Sequence, residues 1–225
     1  MMEVSESWRR QFPGAVIGIL VMRGARNPPM HGELETLREN VERDLRARFF
    51  AGGKEALRAD PVMAAYRSYY KRFGKTYHVE LQLDSVIWKD RTIPSRGALV
   101  QAMSMAELKN RLLTAGHDLG RVALPIRIDV GTGDEKYVGM GGADRVPRQG
   151  DMRISDAEGI ISSIIYGPDD RTRIGPDTKD LLFTVYAPAG IGIDRMRSHL
   201  EDIRRFVQLV APEAVMEELE TFSAD

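Results

Sequence analysis

The chain contains no cysteine, which excludes a disulfide framework, a thiolate metal site and a cysteine nucleophile. Long hydrophobic runs are missing too. The longest near the start, Ala15 to Met22, is far too short to span a bilayer. The segment before it, Met1 to Gln11, is polar and lacks the apolar stretch of a secretory signal. A cytoplasmic protein that engages no membrane is therefore expected. Neither sign of charge dominates: 32 Lys and Arg stand against 33 Asp and Glu, a formal net charge of −1. Affinity for a nucleic-acid backbone comes largely from phosphate neutralisation, so proteins dedicated to gripping one are usually basic. Any RNA contact is thus expected to be local, weak or assisted by a partner, and DNA is not an expected partner. The four histidines are scattered, and nothing has metal-ligand spacing. Glycine-rich nucleotide signatures and Walker-type loops are absent. The turn Gly131-Thr132-Gly133 precedes a charged hairpin rather than a helix, so it is not a phosphate loop. No metal or cofactor is expected.

What the chain does have is enough length and apolar content for a proper core. It has 225 residues, of which 43% are hydrophobic and 29% charged, and a domain of this size needs no staples. Ala15 to Met22 reads as a buried strand between Pro13-Gly14 and Arg23-Gly24. Glu33 to Phe50 is an amphipathic helix with Leu34, Leu37, Val41, Leu45 and Phe49 on one face, ended by Gly52-Gly53. Asp60-Pro61 starts the next helix, with Asp60 as N-cap and Pro61 in the first turn, and Gly74 stops it. Val79 to Trp88 and Ala98 to Leu113 read as helices. The character then changes. Val122 to Val130, Lys136 to Met140, Asp151 to Ser155, Ile160 to Tyr166 and Asp180 to Tyr186 read as strands, with Gly131 to Asp134, Gly141-Gly142, Asp156 to Gly159 and Gly167-Pro168 as the turns between them. Asp194 to Val210 is a last amphipathic helix, and the acidic residues Glu213 to Asp225 are expected to fray. A helical first half, a strand-rich second half and a terminal helix imply an α+β protein, not an alternating parallel fold. There is no internal repeat, low-complexity tract or linker, so residues 1–225 are expected to form a single domain.

Three segments in order carry a resemblance. They are Ile93 to Leu119 (IPSRGALVQAMSMAELKNRLLTAGHDL), Gly133 to Asp156 (GDEKYVGMGGADRVPRQGDMRISD) and Ile161 to Val185 (ISSIIYGPDDRTRIGPDTKDLLFTV), with Tyr66-Arg67 as a weaker match upstream. The ordered set resembles the B3/B4-type tRNA-binding and editing domain of the phenylalanyl-tRNA synthetase beta subunit, and more closely its freestanding relatives. The resemblance implies a mixed β-sheet core over about residues 60–212, with the strand and helix of 14–51 packed on it. It also implies hydrolysis of tRNA carrying the wrong amino acid.

Such hydrolysis requires an amino-acid pocket, an oriented water and donors for the developing oxyanion; it requires neither metal nor protein nucleophile. Gly139-Met140-Gly141-Gly142 is the candidate for backbone donors, with Gly139, Gly141 and Gly142 placed against substrate; glycine also fills ordinary hairpin turns needing positive φ. Thr114, Ala115 and Asp118 lie on the family's pocket-lining turn. Ala115 stands where the synthetase carries a His, Ser104 where an Asn is usual, and His117 is displaced by two positions. The match implies a pocket, and those departures weaken the implication of the synthetase's hydrolytic apparatus. In Asp169-Asp170-Arg171-Thr172, Asp170 or Asp169 would orient substrate or water. Arg171 would meet a carboxylate or phosphate, with Thr172 beside it. The same four residues also read as an Asx-type turn with a structural Asp–Arg pair. The basic stripe Arg195, Arg197, Arg204 and Arg205 reads as a solvated helix face, and Tyr69 and Phe73 read as core with Lys71-Arg72 in solvent.

Two functions follow from different classes. One is a trans-acting deacylase of mischarged aminoacyl-tRNA. The other is a binding module without catalysis, for tRNA, aminoacyl-tRNA or a free amino acid. A metabolic enzyme of another reaction on the same scaffold is a third. Aminoacylation itself is not expected, since the chain carries no ATP signature and is short for a full catalytic core beside this domain.

Overall fold

The computed structural model describes residues 1–225 as an α+β structure. In chain order the elements are β1 (Met2–Val4), α1 (Glu6–Gln11), β2 (Val16–Arg23), α2 (Gly32–Phe49), α3 (Gly53–Ala59), α4 (Pro61–Lys71), α5 (His78–Trp88) and α6 (Ala98–Asn110). They continue as β3 (Thr114–Asp118), β4 (Ile126–Val130), β5 (Tyr137–Val138), β6 (Asp144–Arg145), β7 (Met152–Ser155), β8 (Ile160–Ser163), β9 (Gly167–Pro168), β10 (Leu181–Ala187), α7 (Ile193–Val210) and β11 (Val215–Ser223). A 3-10 turn, Leu119–Arg121, follows β3. No helix is long and apolar enough to cross a membrane.

β2 is a continuous apolar run because both of its faces are covered. It sits inside an antiparallel four-stranded sheet of order β11-β2-β10-β3. Side chains alternate along its strands. One face carries Gly18, Val185, Gly116 and Thr114, and packs on the helices. A Cβ at Gly18 would lie 2.5 Å from Met196 Sδ of α7, so this glycine is what lets the helix approach. The other face carries Tyr186, Thr184, Leu182, Ala115 and His117. Its Tyr186 hydroxyl meets Ser162 of β8, so this face looks toward the second sheet. That sheet is mixed, of order β1-β4-β7-β8-β9, with β1 parallel to β4 and the other pairs antiparallel. α4 ties the sheets together through tyrosines whose buried hydroxyls all find partners. Tyr66 donates to the Tyr186 carbonyl, Tyr69 to Asp151 (2.7 Å) and Tyr70 to the Ile164 carbonyl (2.6 Å).

Several expectations are met closely. Asp60 caps α4, accepting from the Val62 and Met63 amides, with Pro61 in the first turn. Met196, Leu200, Ile203, Val207 and Val210 of α7 are all buried, as are Tyr69 and Phe73. Arg204 and Arg205 pair with Glu201 and Asp202 on their own helix.

Others need correction. The acidic tail that starts at Glu213 does not fray: Val215 to Ser223 form β11, paired along β2 from Arg23 to Val16. Its charged residues Glu217, Glu218 and Glu220 lie on the edge strand of the sheet, where charge opposes further pairing. α2 ends before Gly52-Gly53 as expected, but Gly53 also opens a further short helix, α3, that is not expected. The strand expected from Val122 begins only at Ile126, after Pro125, which has no amide to donate. Gly167-Pro168, expected as a turn, pairs with β8 as β9. Thr114 to Asp118, expected as a small-residue turn, is β3, the edge strand beside β10.

Candidate functional site

The 169–172 segment is shaped by its own side chains. Asp169 Oδ1 accepts from the Thr172 amide at 3.3 Å and from the Thr172 hydroxyl. A carboxylate reaching three residues ahead closes a local turn in this way. The turn is pinned on three sides. The Thr172 carbonyl accepts from the Asp118 amide at 2.7 Å, the Val138 carbonyl from the Asp170 amide at 2.9 Å, and the Pro168 carbonyl from the Met140 amide at 3.3 Å. Isolated bridges join His117 to Arg173 and Gly139 to Asp169. The structure thus brings together β3, the β5 hairpin and the 167–173 segment, which lie far apart in sequence.

A buried chain of hydrogen bonds runs through this meeting point. His117 Nδ1 is 2.7 Å from Thr172 Oγ1, which in turn bonds Asp169. Asp169, Thr172 and His117 are all buried. A hydroxyl has one proton to give. With that proton on Asp169, Thr172 Oγ1 must accept from His117, so Nδ1 carries the hydrogen and Nε2 is left with its lone pair. Burial pushes the imidazole pKa down to about 3, with Arg171 adding to the effect and Asp156 opposing it. His117 is therefore neutral at physiological pH. Its Nε2 is buried and has no hydrogen-bond partner. Thr184 Oγ1, on the same face of the sheet and directly across from Ala115, is likewise buried and unpartnered. Two such atoms beside a small Ala115 side chain are the least satisfied polar groups of this region.

The charges around the chain are strongly paired. Arg171 donates to Asp156 Oδ2 and to the Arg121 carbonyl, both at 2.8 Å, and lies 3.2 Å from Glu158 and 3.7 Å from Asp169. Burial works against the Asp156 carboxylate. The Ala123 amide, the Arg171 guanidinium and the Glu158 amide outweigh it, and its pKa falls below the ordinary range. At Asp169 the balance reverses: burial dominates the bonds from Thr172 and the attraction of Arg171, and the pKa is raised. Asp170 differs from both. Its side chain is 34% exposed and its contact is with Arg173 at 2.8 Å, so of the two carboxylates in the 169–172 segment it is the one solvent can reach.

The remaining expected residues divide between the two faces of the sheet. Thr114 points to the helices, where Oγ1 meets His199 Nε2 of α7 at 2.8 Å and the amide donates to Glu107 at 2.8 Å. Ser104 lies half-buried on α6, in that same layer. Neither is placed with Asp169 and Thr172. Asp118 ends β3, accepting from the Gly120 amide at 3.0 Å and the Thr178 hydroxyl at 2.8 Å. In the glycine turn, the Gly139 amide donates to the Ala143 carbonyl, Gly142 to Gly139 and Met140 to Pro168. Gly141 and Gly142 take positive φ, of 89° and 82°. These are the features of a hairpin turn, with most of its donors already used.

No family model matches the chain, and no curated protein does. Among solved structures it is similar to an N-terminal fragment of the phenylalanyl-tRNA synthetase beta subunit from Pyrococcus horikoshii. The TM-score is 0.49 and the identity 11%. The alignment covers 97% of this chain and 54% of the fragment, so the chain spans about half the length of that structure.

The sequence does not mark His117 and Thr184 as site residues. His117 reads as a loop histidine when 114–118 is taken for a turn; on a strand, the alternation of Ala115 and His117 places it beside Thr172. Thr184 sits in the apolar run of β10, where nothing distinguishes it. No group of three or more His, Asp or Glu side chains is arranged to hold a metal ion.

Proposed function

We propose that this protein acts on aminoacyl-tRNA, as a trans-editing domain of B3/B4 type that hydrolyses mischarged tRNA. One observation carries the reading. Parts of the three segments that resemble the editing domain, 114–118 within Ile93 to Leu119, 137–142 within Gly133 to Asp156 and 167–172 within Ile161 to Val185, meet through backbone hydrogen bonds around the Asp169–Thr172–His117 chain. In this reading the solvent-reachable Asp170 orients water or the α-amino group. Asp169 and Thr172 hold His117 in one tautomer, and Nε2 and Thr184 Oγ1 supply hydrogen bonds to the aminoacyl end. Arg171 keeps the segment in place through Asp156 and is already neutralised, so it positions rather than binds.

The test is release of amino acid from a panel of charged tRNAs, beginning with tyrosine on the phenylalanine tRNA. Release that depends on the protein and falls at least tenfold in Asp170→Ala supports the assignment. Release unchanged in both Asp170→Ala and Thr172→Val would remove these residues from the mechanism.

A second reading is recognition without hydrolysis. Two observations favour it: the glycine-turn donors are spent on backbone carbonyls, and a histidine pushed down to about 3 is a weak base. It is distinguished by tRNA binding that protects the ester bond instead of cleaving it.

A further inference from the structure

A second polar cluster lies on the helical side of the molecule, where α2, α4 and α6 end or begin. Arg111 closes α6 with φ of 62°, a left-handed conformation that L side chains rarely adopt. The other non-glycine residue at positive φ, Asp90, has a fully solvated side chain. Arg111 is instead 4% exposed. A buried arginine held in a sparsely populated backbone conformation points to a constraint beyond packing.

The charge around Arg111 is incompletely balanced. Its Nη1 donates to the Lys109 carbonyl at 2.7 Å. Its Nε lies 3.3 Å from Asp60 Oδ1 but is not aligned to donate, and is a buried donor without a hydrogen bond. Asp60 is shared widely: Oδ1 caps α4 and Oδ2 takes Arg48 at 3.3 Å. Both guanidiniums stand over the ring of Phe49, Arg48 at 4.9 Å and Arg111 at 5.6 Å from its centre. On the far side, Asp202 is divided among Lys109 (2.8 Å), Asn110 (2.9 Å) and Arg205. Arg48, Lys109, Asn110 and Arg111 line one cavity of about 250 Å³, in which Asp44 is the sole carboxylate. Burial, with Arg48 and Arg195 nearby, makes the charged form of Arg111 harder to hold than usual.

We propose that this cavity is a binding site for a small oxyanion, a phosphate or carboxylate group, received by the Arg111 guanidinium with Arg48 and Lys109. A guanidinium with free donors matches the planar or tetrahedral oxygens of such a group, and the Lys109 ammonium adds a donor from the side, while both amide hydrogens of Asn110 are held by Asp202 and His199. The volume falls below that of pockets for drug-sized ligands and suits a single anionic head. An anion there would neutralise the excess of cations that two shared carboxylates leave. The site is separated by the β10 sheet from the Asp169–Thr172–His117 chain, so it stands or falls independently of the editing reading.

The test is thermal unfolding of the full chain in sodium phosphate, sodium acetate and sodium chloride at matched ionic strength. Specific binding raises Tm over chloride by roughly 5 °C once the anion exceeds its Kd a hundredfold. A rise in phosphate alone assigns a phosphate group, and a rise in acetate a carboxylate. Arg111→Gly removes the guanidinium while glycine accepts the positive φ freely, and Lys109→Ala leaves the Arg111–Asp60 contact in place. The anion-dependent rise is expected to disappear in the first and shrink in the second. Phosphate also stabilises proteins by exclusion from their surface, and that effect is the same in all three proteins. An equal rise in wild type and variants, or no rise over chloride, overturns the proposal. Should Arg111→Gly fail to fold, an undiminished rise in Lys109→Ala overturns it alone.

Discussion

Replacing Thr172 with valine removes one oxygen and almost no volume, and should be costly. In the folded protein that oxygen accepts from His117 Nδ1 and donates to Asp169 Oδ1, and neither neighbour sees water. In Thr172→Val the His117 N–H loses its partner outright. Asp169 keeps only the longer bond from the residue 172 amide, at 3.3 Å. A buried donor left unsatisfied costs about 1–3 kcal/mol, and the weakened carboxylate adds a comparable amount. Against this, the new methyl gains about 0.8 kcal/mol. The expected loss is therefore about 3 kcal/mol, read as a lower midpoint in urea at unchanged slope. Thr172→Ser keeps the hydroxyl and loses only a methyl, so its cost should stay near about 1 kcal/mol. Nitrogen chemical shifts of His117 give a second readout: the wild type should show the Nδ1–H tautomer. A valine variant within about 0.5 kcal/mol of wild type, which is the scatter of neutral substitutions, would refute the hydrogen-bonded chain. So would a wild-type histidine protonated on Nε2.

Further expectations follow from other buried groups. Burial pushes Glu107 up to about 8, opposed by the Thr114 amide; the folded state then holds a proton the unfolded state releases above about 4.5. This term is fully present at low pH and is lost as pH rises toward 8, so Glu107→Gln should flatten that decline and be the more stable protein at pH 8. His199 runs the opposite way, pushed down to about 3 by burial: its contribution is present above about 6.5 and lost as pH falls. Replacing it with glutamine should lessen the acid sensitivity measured between pH 6 and 4. Gly18→Ala places a methyl 2.5 Å from Met196 Sδ and 3.0 Å from Leu200 Cδ1; overpacking of this kind costs about 1–3 kcal/mol, and a Tm equal to wild type would show that α7 shifts freely. Removing residues 215–225 strips β11 from β2 and should produce aggregation detectable by light scattering, because it bares an apolar strand edge.

The α+β class was legible because periodicity speaks clearly wherever one face is buried. The apolar rows of α2 and α7, the Asp60-Pro61 start of α4 and the apolar run of β2 all carry such a signal. What was not legible depends on tertiary pairing. β11 has three glutamates in a nine-residue strand, and its reason to exist is the open edge of β2, more than 190 residues earlier in the chain. β3 contains Thr114, Ala115, Gly116, His117 and Asp118, a composition that favours turns when read alone. β10 supplies the ladder that makes it a strand. The candidate site followed the same rule. The stretch 169–172 stood out through its own residues, and its Asx-type closure was one of the readings its sequence offered. The partnership with His117 required β3 to be a strand, because only alternation turns His117 toward Thr172 and Thr114 away to His199.

That alternation also bears on what the site can do. Thr172 has its proton committed to Asp169, so the chain ends in an acceptor, His117 Nε2, on the same sheet face as a second unpartnered polar atom, Thr184 Oγ1, that can donate or accept. An ammonium is a donor only, and a hydroxyl is both. The pair therefore suits an α-amino group or a hydroxyl better than a carboxylate, whose oxygens would face the Nε2 lone pair. An aminoacyl ester has lost its free carboxylate, while a free amino acid retains one. In the proposed editing reading these two atoms favour the esterified amino acid over the free one, and Thr184→Val should weaken binding of an ester analogue by more than it weakens binding of the free amino acid.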